Sequence, residues 1–139
     1  MTGRSSSDTG LDAATTTTQP VSAAEFAALL EALGPFGSAP RLAVATSGGA
    51  DSLALAVLSH DWATARGGAV QAVTVDHGLR AGSAAEARRV RSILRPLGIA
   101  HKVLTWSGEV PTANLQAVAR AARYHLLLDH CARNGVFHL

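Results

Sequence analysis

Six consecutive residues, Ser47-Gly48-Gly49-Ala50-Asp51-Ser52, combine hydroxyls, paired glycines and a carboxylate directly after the apolar run Arg41 to Thr46. A strand that enters a two-glycine turn and then opens a helix is a layout for holding an anion. Glycine admits φ > 0 and lets the main chain come close to a ligand. The first N–H groups of the following helix, with the positive end of its dipole, face the same point. The Ser47 and Ser52 hydroxyls can donate to phosphate oxygens, and the N–H groups near Gly48 and Gly49 can form a nest around them. Asp51 is out of place beside a polyanion unless a cation intervenes. Magnesium held between its carboxylate and the phosphates resolves the repulsion, and helix capping is the competing role. A Walker-type loop is excluded, because its tail requires a lysine and Lys102 is the only one in the chain.

Other stretches offer weaker chemistry. Asp76-His77-Gly78 follows the β-branched run Val70 to Val75, which places His77 at the carboxyl end of a strand. A histidine there is either a satisfied turn residue or a ligand-facing one, and the backbone around it suits the wall of a base pocket. Arg80 follows, near phosphate or RNA. Gln116, Arg120 and Arg123, at helical spacings of four and three, share a face that reads by itself as a solvated basic surface. Arg88, Arg89, Arg91 and Arg95 read as the outer face of an amphipathic helix. His60, His101, His125, His130 and His138 show no metal-ligand spacing.

The elements that position these residues follow from periodicity. Residues 1–20 are Ser/Thr/Gly-rich without apolar repeat and read as a disordered tail, leaving 21–139 as the folded part. Ser22 and Glu25 form a capping box, with Val21 and Phe26 as a staple, ahead of a helix with Phe26, Leu29, Leu30 and Leu33 on one face. Arg41 to Thr46 is a first strand, Ser52 to about His60 a helix, and Val70 to Val75 a second strand. Ser83 and Glu86 spell a second capping box, opening a helix with Ala87, Val90, Leu94 and Leu97 inward. Ile99 to Thr105 is a third strand and 107–111 a loop. A long helix runs from about Thr112 or Ala113 to Asn134, with Leu115, Val118, Ala119, Ala122 and Leu126 as its buried stripe. Val136 to Leu139 begins a fourth strand, so the sheet is expected to be incomplete at the C-terminus. Helices alternating with strands predict an α/β fold, a parallel sheet with helices on both faces. Ligands in such sheets bind beyond the carboxyl ends of the strands. Both the glycine turn and His77 lie at such ends.

Composition narrows the classes. The chain of 139 residues is 47% hydrophobic, so it can form one domain with a core, yet only 4% aromatic, so that core must be Ala, Leu and Val. A net charge of +2 identifies no nucleic-acid partner. Cys131 is the sole cysteine, which excludes a disulfide framework and paired-cysteine chemistry. No apolar run approaches the roughly 20 residues of a membrane span, and no secretory signal is legible, so the expectation is a cytoplasmic protein.

The hexapeptide resembles the SGGxDS signature of the PP-loop (N-type) ATP pyrophosphatases, whose fold is adenine nucleotide alpha hydrolase-like. Within them, Val75-Asp76-His77-Gly78-Leu79-Arg80 resembles the VDHGLR stretch of the tRNA(Ile)-lysidine synthetases. Residues Asn114 to Tyr124 resemble that family's N-x-x-x-x-A-R-x-x-R-Y pattern. The resemblance covers Arg41 to Leu139. It implies ATP and magnesium as cofactors, with Ser47 to Ser52 and His77 binding the nucleotide. Asp51 would be the metal ligand and, with Arg123, catalytic. The implied reaction joins lysine to C2 of the wobble cytidine of isoleucine tRNA through an adenylated cytidine, releasing pyrophosphate and then AMP. The implied partners are ATP, L-lysine, the anticodon loop and a second copy in a homodimer. Alternatives are another PP-loop enzyme, such as a tRNA thiolase or an NAD- or GMP-forming synthetase, or a nucleotide-binding fragment without turnover. The family's pattern continues past the fourth strand with an A-H-x-x-D-D segment and tRNA-gripping domains, so the resemblance implies that 21–139 is the N-terminal part of a PP-loop domain.

Overall fold

The computed structural model describes residues 19–78, 81–108 and 113–139. The polar tail through residue 18, Arg80 and the expected helix start at Thr112 lie outside the described residues.

Helix α1 (Ala23–Leu33) starts where the capping box puts it: Ser22 Oγ accepts from the Glu25 N–H, and the Glu25 carboxylate accepts from the Ser22 N–H at 2.8 Å. Strand β1 (Arg41–Ala45) follows, then α2 (Ala50–Thr64), β2 (Ala69–Asp76), α3 (Ser83–Leu94), a 3-10 turn (Arg95–Leu97), β3 (Ala100–Thr105) and α4 (Leu115–Arg133). The strands form one parallel sheet in the order β1-β2-β3, with Arg41 opposite Ala69 and Gln71 opposite Ala100.

Side chains alternate across a strand, and that alternation divides the core between the two faces. Leu42, Val44, Val70 and Ala72 face one layer with Phe26, Ala56, Trp62, Ala63, Val90, Leu94 and Ile99, so α1, α2 and α3 cover that face. Ala43 and Val73 face the other with Leu127 and Cys131 of α4. The expected parallel sheet with helices on both faces is what the chain forms.

Several local expectations are corrected. Ser83 does not cap α3: Gly82 occupies the cap position without a side-chain bond, and Ser83 is the first helical residue. Its hydroxyl is engaged by the Asp76 carboxylate instead. Leu29 and Leu33 are exposed, leaving Phe26, Ala27 and Leu30 to join α1 to the core. Leu97 is exposed too, because the 3-10 turn rotates it off the α3 face. On α4 the buried positions are Leu127 and Cys131, while Leu115 and Val118 are exposed. The helix leans on the sheet through its C-terminal half, and its N-terminal half stands over open space. Val136 to Leu139 makes one parallel bridge, His138 with Leu42, on the outer edge of β1.

Candidate active site

Apolar strands stop at the carboxyl edge of the sheet, and polar residues begin. Thr46, Thr74, Asp76 and His77 gather there with Ser47, Ser83, Glu86, Gln116, Arg120 and Arg123 around a cleft of about 850 Å³. Thr46 and Ser47, where the glycine turn begins, lie on one side, and the N-terminal half of α4, the part that lacks buried packing, lines the cleft as well. A smaller cavity of about 310 Å³ lies between the turn and α3, lined by Ser47, Gly48, Gly49, Glu86 and Arg89.

The turn is held open by its own hydroxyls. Ser52 Oγ donates to the Gly49 carbonyl at 3.0 Å and accepts from the Gly48 N–H at 3.2 Å, while Ser47 Oγ sits 3.2 Å from it. Gly48 has φ +93°, and a Cβ there would come within 3.0 Å of Val90 Cγ2, so both conformation and close approach of α3 require glycine. Gly49 is different. As the cap of α2 it has φ −71°, and a Cβ would meet only Ser47 Oγ at 3.7 Å. Nothing in the fold demands glycine at 49. At the start of α2 the first N–H groups have no side-chain cap, which leaves bare backbone donors that an anion can approach.

Asp76 accepts the Gly78 N–H at 2.8 Å, and that bond, with the Ser83 hydroxyl, lowers its pKa. The cleft therefore keeps a carboxylate ionised opposite its arginines. His77 has both ring nitrogens buried without a hydrogen-bond partner and packs edge-on against Trp106, ring centroids 6.0 Å apart. Burial lowers its pKa, the Arg123 guanidinium adds to that, and Asp76 opposes it more weakly. It is a neutral imidazole at pH 7, with a donor and an acceptor to offer.

These shifts set a pH dependence. Both His77 and His101 have folded pKa values below the ordinary 6.5. As pH falls through 6.5 the unfolded chain takes up protons first, so the stability tied to the neutral rings is complete above that pH and lost below it. Asp76, whose folded pKa is also lowered, acts in the same sense, but only as pH falls below its unfolded value of 3.8. Thermal unfolding between pH 7.5 and 5.5 is expected to show Tm falling with pH, and His77→Gln to flatten the slope.

Of the residues expected from sequence, Ser47, His77 and Arg123 line the main cleft, and Gly48 and Gly49 line the smaller cavity. Ser52 braces the turn from within. Ala50 and Asp51 are exposed in the first turn of α2 and line neither cavity. Asp51 has no ion pair or hydrogen bond among the described residues, which leaves its carboxylate available. No group of three or more His, Cys, Asp and Glu side chains converges among the described residues. A magnesium ion fits such a site only as that ion is commonly held, by one or two carboxylates plus phosphate oxygens and water. Sequence reasoning placed Asp76 at the strand end that lines the crevice, but missed Thr46, Thr74 and Glu86 as cleft residues. The signal was there: polar residues at the ends of otherwise apolar strands.

No described helix is long and apolar enough to cross a membrane. In fold, the chain is similar to the U34-tRNA thiolase NcsA from Methanococcus maripaludis, solved with its 4Fe-4S cluster: TM-score 0.70, 18% identity, covering 83% of this chain and 43% of that one. In sequence, it is 43% identical over 110 residues to a tRNA(Ile)-lysidine synthase of Orientia tsutsugamushi, covering 79% of this chain and 25% of the relative. It is 47% identical over 104 residues to one from Rhodopseudomonas palustris, covering 73% and 30% respectively. For one from Bradyrhizobium sp. BTAi1 the figures are 44% over 122 residues, 86% and 33%. The chain thus spans about a quarter to a third of the length of the relatives it matches. A family model described as the PP-loop domain matches residues 19–139, which include the glycine turn, the cleft and both layers of the core, and the chain belongs to that family.

Proposed function

We propose that the chain binds ATP with its β and γ phosphates on the glycine turn and its base toward His77, in an enzyme that joins lysine to the wobble cytidine of isoleucine tRNA. The observation that carries the ATP reading is Gly49, a glycine the fold does not need, at an uncapped helix start beside a cleft of about 850 Å³. The names of the relatives support the substrate and the reaction.

In the first step the C2 oxygen of the cytidine attacks the α-phosphorus. A P–O bond forms to the base, the bond to the bridging oxygen breaks, and pyrophosphate leaves with the electron pair. In the second step the neutral ε-amine of lysine attacks C2, a C–N bond forms, the amine loses a proton, and AMP departs with the C2 oxygen. The N–H groups of the turn and the Ser47 hydroxyl would hold the β and γ phosphates, where they also stabilise the charge of departing pyrophosphate. Arg123, across the cleft, adds positive charge toward the α-phosphate. Asp51 would hold magnesium, which supplies charge neutralisation for the polyphosphate. Thiolation fits less well: Cys131 is buried, and burial raises its pKa, which leaves it a poor nucleophile away from the cleft.

Pyrophosphate release is the test. With ATP, lysine and isoleucine tRNA all present, continuous release is expected; omission of the tRNA is expected to abolish it, and omission of lysine to limit it to the single release that accompanies adenylation of the cytidine. ATP binding without release would reduce the reading to a nucleotide-binding domain. Ser47→Ala is expected to weaken ATP about tenfold, the loss of one hydrogen bond to a charged group. Asp51→Ala is expected to lower release by about a hundredfold, and unchanged ATP binding in both variants would remove the turn from the site.

A further inference from the structure

One half-buried titratable side chain has no part in the chemistry above yet connects to the turn. His101 lies on β3 opposite Ala72 in the register, on the face packed by α3. Its Nε2 is 2.8 Å from Thr74 Oγ1, and Thr74 Oγ1 donates to the Thr46 carbonyl at 2.7 Å. A threonine hydroxyl has one proton. Thr74 gives it to Thr46, so the contact with His101 must be donated by the ring, and Nε2 carries the hydrogen. The remaining nitrogen, Nδ1, is then the bare one, and it is buried with no partner. A second proton there would have nothing to bond, which agrees with the lowered pKa, caused by burial and then by the nearby Arg91 guanidinium. With both contacts made at once, the chain of hydrogen bonds runs one way, from His101 through Thr74 to Thr46.

The recipient is the last carbonyl before the glycine turn. The Thr46 N–H is spent on the Val73 carbonyl at 2.8 Å and its hydroxyl on the Val44 carbonyl at 3.0 Å, so this residue is bound on every side. In a trans peptide the carbonyl and the next N–H point in opposite directions in one plane. Fixing the Thr46 carbonyl therefore fixes the direction of the Ser47 N–H, and bonding at the oxygen polarises that N–H into a stronger donor. No described residue accepts it.

We propose that His101 is a positioning residue for the turn, acting through Thr74 to set and polarise the Thr46–Ser47 peptide so that the Ser47 N–H is presented to a phosphate oxygen. Its link to ATP rests on the reading of the turn given above; the hydrogen-bond chain does not. The residue touches no substrate. Its neighbours Arg91 and Thr74 belong to α3 and β2, so the relay ties the turn to two elements that pack beneath it.

The test uses the 139-residue chain, labelled with ¹⁵N and ¹³C. In the unmodified chain, long-range ¹⁵N–¹H correlations are expected to show His101 protonated at Nε2; an Nδ1–H tautomer would overturn the relay without any mutation. His101→Leu and Thr74→Val are each expected to move the Thr46 carbonyl carbon and Ser47 amide nitrogen resonances in a common direction. They are also expected to weaken ATP binding about three- to tenfold, one neutral hydrogen bond's worth. His101→Gln, which keeps a donor, is expected to restore both. Folded leucine and valine variants with unmoved resonances and unchanged ATP affinity would overturn the proposal, as would a glutamine variant that behaves like leucine. If the unmodified chain binds no ATP, the reading of the turn fails, and the tautomer and the Thr46 resonance still decide the relay.

Discussion

Alanine at Gly48 is expected to destabilise the chain by about 1–3 kcal/mol, whereas alanine at Gly49 is expected to leave stability within about 1 kcal/mol and to weaken ATP binding about ten- to a hundredfold. The two glycines are adjacent, and their difference is geometric. At Gly48 the backbone sits at φ +93°, where an L side chain is strained, and the added methyl would lie 3.0 Å from Val90 Cγ2. Val90 is buried against the sheet and cannot yield without disturbing α3. At Gly49 the backbone is at φ −71° and the nearest atom is 3.7 Å away, so the methyl is accommodated by the protein. It would occupy the space through which a phosphate oxygen reaches the N–H groups of α2. Losing one charge-assisted hydrogen bond there weakens binding about ten- to a hundredfold. Chemical unfolding and titration with ATP measure the two effects separately. Equal losses of stability in both variants would show that Gly49 serves the fold after all.

Leu127→Ala is expected to cost about 2–5 kcal/mol, the range for deleting a fully buried leucine, and to abolish ATP binding at temperatures where the sheet persists. Leu127 is 1% exposed and has few buried companions: Ala43, Val73 and Cys131 complete that layer. The opposite face holds a larger cluster around Leu94 and Val90. A similar deletion at Leu94 loosens a well-braced layer, but at Leu127 it frees the helix that carries Gln116, Arg120 and Arg123 into the cleft. Leu127 also lines the cleft itself. A two-step thermal melt, with near-UV signals from Tyr124 lost before those from Trp62, would report α4 leaving first; a single cooperative step would contradict it.

Much of the fold was legible because the signals were local. The capping box at Ser22 and Glu25 acts over three residues, and the apolar runs of β1 and β2 need no partner to be recognised. Ser83 and Glu86 spell the same motif, yet Asp76 engages the Ser83 hydroxyl. Sequence spacing cannot show that a carboxylate from a preceding strand competes for that hydroxyl. The stripe of α4 was misread for a related reason. Leu115 and Val118 are apolar at helical spacing, but they belong to the half that overhangs the cleft, so the seam with the sheet starts further along. The glycine turn and His77 were readable as site residues from their places at strand ends. Thr46 and Thr74 were hidden in β-branched strands, where threonine passes for valine until its hydroxyl is seen to bond across strands.

The single bridge between His138 and Leu42 has a consequence for how the sheet breathes. Along β1 the backbone amides alternate in direction: the Ala43 N–H bonds outward to the His138 carbonyl at 2.9 Å, whereas the Thr46 N–H bonds inward to Val73. The outward attachment consists of that bond and the ring contact of His138 with Phe36, centroids 4.6 Å apart. Such a patch opens at a cost of about 1–2 kcal/mol, far less than unfolding the sheet. Solvent therefore reaches the Ala43 amide whenever the contact with His138 opens, while the Thr46 amide waits for β1 and β2 to part. The Ala43 amide of β1 and the Thr46 amide just beyond its end thus belong to different cooperative units, although only three residues separate them.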